Sequence, residues 1–414
     1  MNLEYGCIGE KLGHSFSKEI HNLIADYDYQ LTELTPDELK VFMTERNFKA
    51  INVTIPYKEA VIPYLHEIDD AARAIGAVNT IVNKDGRLYG YNTDFYGRES
   101  LLSHAGVTLS QKKVAILGTG GTSKTAAAVS KALGAKAVLA VSRESRTGVI
   151  TYDELYKNHS DVDVIINTTP VGMYPRIDET PIDVSAFPSL SGVIDAVYNP
   201  LRTHLVLDAQ KQGIPAEGGL YMLVAQAIRA SEIFLDTNYG KDTLEAVYKK
   251  ILRDKENIVL IGMPASGKST VARLLSILLK RDAFDTDSII ENKANKKIAA
   301  IFADEGESCF RDLESCAIGS VADMHTSVIA TGGGAILREK NVDNLKLNGR
   351  LYFIDRPLDA LIPTSSRPLA SSIDAIQRRY HERYGIYKST ADKVIDACCS
   401  PDEVANKIKE DFFK

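Results

Sequence analysis

Apolar positions along this chain fall into short runs, each closed by a turn of Gly, Thr, Ser or Asp and separated by stretches with helical spacing. In the first hundred residues the strand-like runs are Tyr5–Gly9, Phe48–Thr54, Ala77–Ile81 and Gly90–Asp94, and Glu19–Ile24 reads as a helix. A second set follows at Lys113–Leu117, Ala137–Val141, Asp163–Asn167 and Val193–Val197, with Lys124–Leu133 a helix after the first of them. Leu220–Phe234 and Lys241–Ile251 carry helical spacing. A third set, Asn257–Ile261, Arg281–Phe284, Val328–Thr331 and Leu351–Ile354, begins beyond residue 255, and Val271, Leu274, Leu275 and Leu278 share one apolar helix face behind its first strand. Strands alternating with helices predict an α/β chain throughout.

The third set opens on a nucleotide signature. Gly262-Met263-Pro264-Ala265-Ser266-Gly267-Lys268-Ser269 fits G-x-x-x-x-G-K-[ST] in full, between a strand and a helix. Backbone amides of such a loop cradle phosphate oxygens, so Gly262, Ser266, Gly267 and Thr270 are expected to frame ATP or GTP. Lys268 brings a point charge to the terminal phosphates and Ser269 a hydroxyl to Mg²⁺. Ala265 is expected to keep a negative φ. Asp285 and Asp287 sit at the end of the next strand, where one acid can help hold hydrated Mg²⁺ and the other can accept from a substrate hydroxyl. Gly332-Gly333-Gly334 exposes main-chain amides after a strand. The stretch Pro363–Leu369 reads as a lid whose Arg367 can reach a migrating phosphoryl group, and Arg383–Tyr387 closes an Arg-rich helix.

The second set carries a dinucleotide-type turn, Gly118-Thr119-Gly120-Gly121-Thr122-Ser123, with Ser at the third glycine position. The next strand ends on Ser142-Arg143-Glu144-Ser145-Arg146. Arginines where an acid would take ribose hydroxyls suit a 2′-phosphate, so Ser142, Arg143 and Arg146 point to NADP, with Glu144 turned outward. Thr168 and Gly219 complete the expected cofactor edge.

The first hundred residues place Ser15, Ser17, Thr54, Lys58, Asn79 and Asp94 at strand ends or in loops, a set suited to a small, hydroxyl-rich anion. Reducing a ring ketone needs hydride on carbon and a proton on oxygen, and Lys58 with Asp94 can form the polar pair beside that oxygen. Their titrations are coupled, so neither is named as sole acid from chemistry alone.

Bulk properties narrow the partners. The chain has 414 residues, enough for about two to four domains of roughly 100–200 residues each. A net charge of −6 gives no electrostatic reason to expect nucleic acid or an anionic membrane. No run reaches the length of a membrane span, and the N-terminus lacks a basic region followed by an apolar one. Five irregularly spaced cysteines predict neither a disulfide framework nor a zinc knot, which fits a reducing cytoplasm. A monomer or homodimer is expected.

Residues 257–414 resemble shikimate kinase in the P-loop, the Asp-x-Asp pair, Phe310-Arg311-x-x-Glu314, the triple glycine, Arg367-Pro368-Leu369 and Arg383. The resemblance implies that Asp287, Arg311, Gly333, Gly334 and Arg383 hold shikimate, the two arginines on its carboxylate. It also implies that Asp285 supports Mg²⁺ and that Lys268 and Arg367 stabilise the phosphoryl group. The stretch Leu358–Pro363 lacks a basic residue that the family tends to carry there. Residues 1–250 resemble shikimate dehydrogenase in Gly13-His14-Ser15-x-Ser17, Asn52-Val53-Thr54-Ile55-Pro56-Tyr57-Lys58, Gly76-Ala77-Val78-Asn79-Thr80 and Asn92-Thr93-Asp94. Later blocks match as well: Asn167–Met173, Asp195–Pro200 and Gly219-x-x-Met222-Leu223-x-x-Gln226. The family implies that Ser15 and Ser17 meet the substrate carboxylate, and that Lys58, Asn79, Asp94 and Gln226 meet its hydroxyls and carbonyl, Lys58 as proton donor; Thr54, from the same polar set, is a further candidate for substrate binding. Gly118, Gly120, Gly121 and Thr122 would cradle NADP.

The implied organisation is a substrate domain over 1–100 completed by 219–252, an NADP-binding Rossmann-like domain over 101–218, and a P-loop kinase-like domain over 257–414, joined by a short linker near 253–256. The implied reactions are NADPH-dependent reduction of 3-dehydroshikimate and Mg-ATP-dependent phosphorylation of shikimate. The same folds acting on a related polyol acid such as quinate, or a non-catalytic sensor, are the alternatives, and retention of Lys58, Asp94 and Lys268 speaks against the sensor.

Overall fold

The computed structural model describes residues 3–13, 15–361 and 373–414, which divide into two compact units, 1–251 and 252–414. The expected linker at 253–256 is instead largely the last turn of the helix Gly240–Lys255. Among the described residues, no helix is long and apolar enough to cross a membrane.

The first unit holds two six-stranded sheets. The first is built from β1 (Tyr5–Gly9), β2 (Tyr29–Glu33), β3 (Ala50–Val53), β4 (Glu67–Ile68), β5 (Thr80–Lys84) and β6 (Arg87–Tyr91), in the order 2-1-3-5-6-4. β1 runs parallel to β2 and β3, and the β5–β6 hairpin is antiparallel to its neighbour β3. Two expected strands are displaced. Helix Asp70–Ile75 ends on Gly76 at φ 73, leaving Ala77–Asn79 as a loop, and the next strand stops at Tyr91 so that Asp94 opens the helix Asp94–His104. Gly97 therefore lies inside that helix; a Cβ there would stand 2.8 Å from the Met222 carbonyl, a close approach of two helices.

The second sheet is wholly parallel: β7 (Lys113–Leu117), β8 (Ala137–Ser142), β9 (Val149–Thr151), β10 (Val164–Asn167), β11 (Gly192–Asp195) and β12 (Ala216–Glu217), in the order 12-11-10-7-8-9. Its central strands β10 and β11 are buried at every residue, as strands covered on both faces must be. The helix Leu220–Leu235 returns to pack on Asp94–His104 and on Ser17–Ile24.

The second unit is one parallel sheet of β13 (Asn257–Ile261), β14 (Asp282–Asp285), β15 (Ser327–Ala330), β16 (Gly349–Asp355) and β17 (Lys393–Asp396), in the order 14-15-13-16-17. The chain reverses its direction of growth across the sheet between β15 and β16, on either side of β13, and the P-loop leaves β13 at that point. Ligands of open α/β sheets bind at such switch points. The C-terminal helix Pro401–Phe412 carries a reciprocal Ser400–Glu403 capping box with Pro at its first turn, which fixes its start without tertiary help.

Candidate active sites

A cavity of about 360 Å³ opens in the first unit beside the carboxyl ends of β1 and β3. The structure brings Ser15, Ser17, Thr54, Lys58, Asn79, Asp94 and Gln226 together in its wall, with Thr122 and Gly219 from the expected cofactor set. Lys58 follows a tight turn closed by Tyr57 N–H donating to the Thr54 carbonyl, and its own carbonyl accepts from Val78 N–H. Asn92 holds Asp94 by accepting from the Asp94 amide at 3.0 Å while its side-chain amide donates to the Ala77 carbonyl. The result is a Lys58 Nζ to Asp94 Oδ2 ion pair of 2.5 Å, with the aspartate side chain only 7% exposed. A charge-assisted bond at this burial is strong and directional. Ser15 Oγ donates to Ser17 Oγ at 2.9 Å and also accepts from the Ser17 amide, which sets the two hydroxyls side by side at the start of a helix.

Asn79 is tied into a buried network. Its Oδ1 accepts from the Thr93 amide and the Thr80 hydroxyl, and its Nδ2 donates to Thr93 Oγ1. Asn52 donates to the Asn79 carbonyl and accepts from Tyr29 Oη at 2.7 Å. His21 stacks on Tyr29 with ring centroids 3.9 Å apart and pairs with Tyr27 Oη. Burial pushes the His21 imidazole down to about 3, so it stands neutral in the wall. Burial likewise pushes the nearby Cys7 thiol up to about 12. The sequence reading assigned no role to His21, Asn52 or Tyr198, all of which line this cavity. Asn52 opens the Asn52–Lys58 motif, but nothing in its spacing marks a support rather than a ligand.

At the cofactor edge, Gly118 lies against Thr168, where a Cβ would meet the Thr168 hydroxyl at 2.8 Å, and Thr168 Oγ1 donates to the Leu117 carbonyl. Gly120 and Gly121 have open space where a side chain would stand, at the start of the helix Gly121–Ala132. This cradle fits a pyrophosphate at a helix N-terminus. Beneath it, Asp195 accepts from Asn167, Thr203 and the Val197 amide, and burial still pushes its carboxyl up to about 6. Those two motif blocks thus brace the edge. Ser142 ends β8, its hydroxyl accepting from the Glu144 amide. Glu144 turns outward, its side chain 78% exposed, and there pairs with Arg146 at 3.5 Å. Both side chains are exposed, so the pair is weak and open to exchange for a phosphate.

In the second unit the P-loop wraps around its own lysine. Lys268 Nζ donates to the carbonyls of Gly262 and Met263, each at 2.8 Å, and lies within 3.5 Å of Ser266 Oγ. Gly262 and Gly267 take φ of 149° and 93°. Ala265 also has a positive φ, 66°, against the expectation of a negative one. The loop's curvature demands a left-handed residue there, and a side chain in that region costs about 1–2 kcal/mol. Thr270 follows exposed in the first helical turn, its amide donating to the Gly267 carbonyl. Ser269 Oγ donates to Asp285 Oδ2 at 2.5 Å, and the other oxygen of Asp285 caps the helix Thr286–Ala294 through the Asp287 and Ser288 amides. A hydroxyl and a carboxylate side by side suit Mg²⁺, which keeps most of its waters.

Each glycine of the triplet clears a different neighbour. A Cβ at Gly332 would stand 2.6 Å from Asp287 Oδ1 and 2.8 Å from Glu314 Oε1; at Gly333, 2.8 Å from the Pro264 ring; at Gly334, 1.8 Å from Arg311 Nη1. The triplet therefore packs P-loop, acid and arginine onto one backbone. Arg311 donates to Glu314 at 2.7 Å and to Glu307 at 2.9 Å, and Arg383 donates to the Gly333 carbonyl, which also accepts from Tyr387. Burial opposes the charge of Arg311, and the two glutamates more than offset it. Burial raises the Glu314 carboxyl, with Arg311 opposing and Asp287 adding to the rise. Glu307 was missed from the sequence, and Glu314 and Tyr387 were noted only as parts of motifs. Arg367 and the lid stretch lie outside the described residues, as does His14.

Fold and sites together define a dinucleotide-fold reductase joined to a P-loop phosphotransferase. Over its first three-fifths the chain belongs to the shikimate dehydrogenase family, and the remainder carries a shikimate kinase domain. Residues 7–81 match the family model of the shikimate dehydrogenase substrate binding domain, and residues 264–412 match that of shikimate kinase. The chain is 36% identical to shikimate dehydrogenase (NADP(+)) of Clostridium beijerinckii over 259 residues, 59% of this chain and 96% of that one. It is 38% identical to the enzyme of the same name from Methanosphaera stadtmanae over 276 residues, 60% and 96% of the two chains. Among solved structures, a chorismate mutase/shikimate 5-dehydrogenase fusion protein from Clostridium acetobutylicum superposes with a TM-score of 0.57 at 36% identity, covering 61% of this chain and 98% of that one. The Thermus thermophilus shikimate 5-dehydrogenase in complex with NADP(H) and shikimate gives 0.54 at 26% identity, covering 60% and 99%.

Proposed function

We propose that one chain reduces 3-dehydroshikimate to shikimate with NADPH and then phosphorylates the 3-hydroxyl of shikimate with Mg-ATP. The observation that carries the first step is the Lys58–Asp94 pair inside a cavity whose wall includes Thr122 of the dinucleotide turn. A ketone seated there lies within reach of a proton source and of the cofactor edge together. Bound NADPH supplies the hydride. Ser15 and Ser17 take the substrate carboxylate, and Thr54, Asn79, Asp94 and Gln226 take its hydroxyls. The Lys58 ammonium gives its proton to the carbonyl oxygen, and Asp94 keeps that ammonium aimed. Gly118, Gly120 and Gly121 would hold the pyrophosphate, and Ser142, Arg143 and Arg146 the 2′-phosphate.

In the second unit Ser269 and Asp285 would hold Mg²⁺, which neutralises phosphate charge when bound. Arg311 and Arg383 grip the shikimate carboxylate, Asp287 accepts from ring hydroxyls, and Lys268 stabilises charge on the transferring group. The test is purified protein with 3-dehydroshikimate, NADPH and Mg-ATP, both products followed by mass. Shikimate without ATP and shikimate 3-phosphate with it are expected. Oxidation of quinate at the rate of shikimate would move the first activity to the related polyol.

A further inference from the structure

One buried charge in the first unit has no part in the proposed ketone reduction. Arg98 is 0% exposed on the helix Asp94–His104, one turn beyond Asp94 and on the same face. Its Nε, Nη1 and Nη2 are buried without a hydrogen-bond partner among the described residues. A guanidinium in that state is costly, and an apolar side chain of like volume would pack there at less cost. Burial lowers its pKa to about 10, with Asp94 opposing, so it stays a cation at neutral pH.

We propose that Arg98 is a positioning residue for ketone reduction, retained at a cost in stability because its charge acts on the Lys58–Asp94 ion pair. This inference rests on the reductase reading. Before the reaction, Asp94 is balanced by the Lys58 ammonium at 2.5 Å. When the Lys58 proton passes to the carbonyl oxygen as hydride reaches the carbon, Lys58 becomes a neutral amine. Asp94 then keeps its full negative charge in a buried place with its ion-pair partner discharged. Asp94 is charged before and after, so what changes is Lys58: the fixed Arg98 cation beside the pair favours loss of the like charge on Lys58 and leaves Asp94 a cation to face once that charge is gone. It touches neither substrate nor cofactor in this account.

The experiment uses the full chain. Arg98→Met, Arg98→Lys and the pairs of each with Asp94→Asn are assayed for 3-dehydroshikimate reduction beside wild type, with thermal midpoint and NADP⁺ binding measured for each. Arg98→Met is expected to lose about tenfold or more in kcat with little change in KM, to bind NADP⁺ as wild type does, and to melt no lower than wild type. Arg98→Lys is expected to recover most of kcat. In the Asp94→Asn background, where Lys58 has lost the carboxylate that holds it beside the carbonyl, the Met substitution is expected to cost little further. Arg98→Met with wild-type kcat, Arg98→Lys as slow as Arg98→Met, or equal losses with and without Asp94 would each overturn the proposal. Should Arg98→Met fail to fold, Arg98→Gln against Arg98→Lys makes the same charge comparison. A wild type that reduces no 3-dehydroshikimate would instead sink the reductase reading itself.

Discussion

The two sites handle their charges in opposite ways. In the reductase cavity Lys58 and Asp94 face each other across 2.5 Å; Asn92 accepts from the Asp94 amide, Asn79 from the amide of the preceding Thr93, and Asn52 donates to the Asn79 carbonyl. Little has to break before a ketone can be protonated. In the kinase unit the cations proposed to meet substrates are bound to the protein's own acceptors: Lys268 to two loop carbonyls, Arg311 to two glutamates, Arg383 to the Gly333 carbonyl. Substrates there must share or displace those partners. The first site spends its supports on preorganisation, whereas the second stores its cations in a self-satisfied form until anions arrive.

Substitutions can break this contrast. Lys268→Ala has the largest expected effect in the kinase unit, on the order of 10³-fold in phosphoryl transfer, because it removes charge that belongs to the phosphates. Reduction of 3-dehydroshikimate should be untouched, and a coupled assay of both products reads this directly. Asp287→Asn, by contrast, should impair use of shikimate while nucleotide binding holds.

Gly334→Ala should come next. The new methyl would lie 1.8 Å from Arg311 Nη1, so the guanidinium must leave its Glu314 partner. Shikimate kcat/KM is expected to fall about 10–100-fold, mostly through KM, as one charge-assisted grip on the carboxylate is lost. Initial rates at varied shikimate, with ATP saturating, measure it. An unchanged KM would mean that Arg311 does not hold the carboxylate.

Arg143 and Arg146 sharpen the other side. NADPH should outperform NADH in kcat/KM, and Arg143→Ala with Arg146→Ala should narrow that preference by about tenfold, the worth of one or two exposed phosphate contacts. The smallest effect is expected at Ala265. Glycine there relieves a left-handed alanine worth about 1–2 kcal/mol but adds about 0.4–1 kcal/mol of unfolded-chain entropy. A net gain on the order of 0.5–1 kcal/mol should appear as a higher denaturation midpoint for the kinase unit.

Much of the fold was legible because its central strands are continuous apolar runs ending in turns of fixed chemistry, as at Lys113–Leu117 with its glycines and Asn257–Ile261 with the P-loop. Edge strands such as Tyr29–Glu33 and Lys393–Asp396 were not, because the first is only partly buried, the second is largely exposed, and neither carries such a signal. Asp94 was found as a residue but placed at a strand end. The helix that begins there has little apolar periodicity, since Asp94, Gly97 and Arg98 sit on its buried side. The cavity residues were legible where a polar or charged side chain sits in a motif block, as at Ser15, Lys58 and Asn79, and went without a role where they pack behind such residues, as at Asn52 and His21. The sign of φ at Ala265 depends on how the loop closes around Lys268, which no local pattern encodes.

The division of labour between the two units is tested most directly by the Lys58→Ala variant supplied with 3-dehydroshikimate, NADPH and Mg-ATP, and separately with shikimate and Mg-ATP. The account predicts a fall in shikimate formation of at least about 10²-fold, since a charged transition-state partner is lost. It also predicts wild-type conversion of added shikimate to shikimate 3-phosphate. A folded Lys58→Ala protein that reduces the ketone at the wild-type rate, or that loses both activities together, would contradict it.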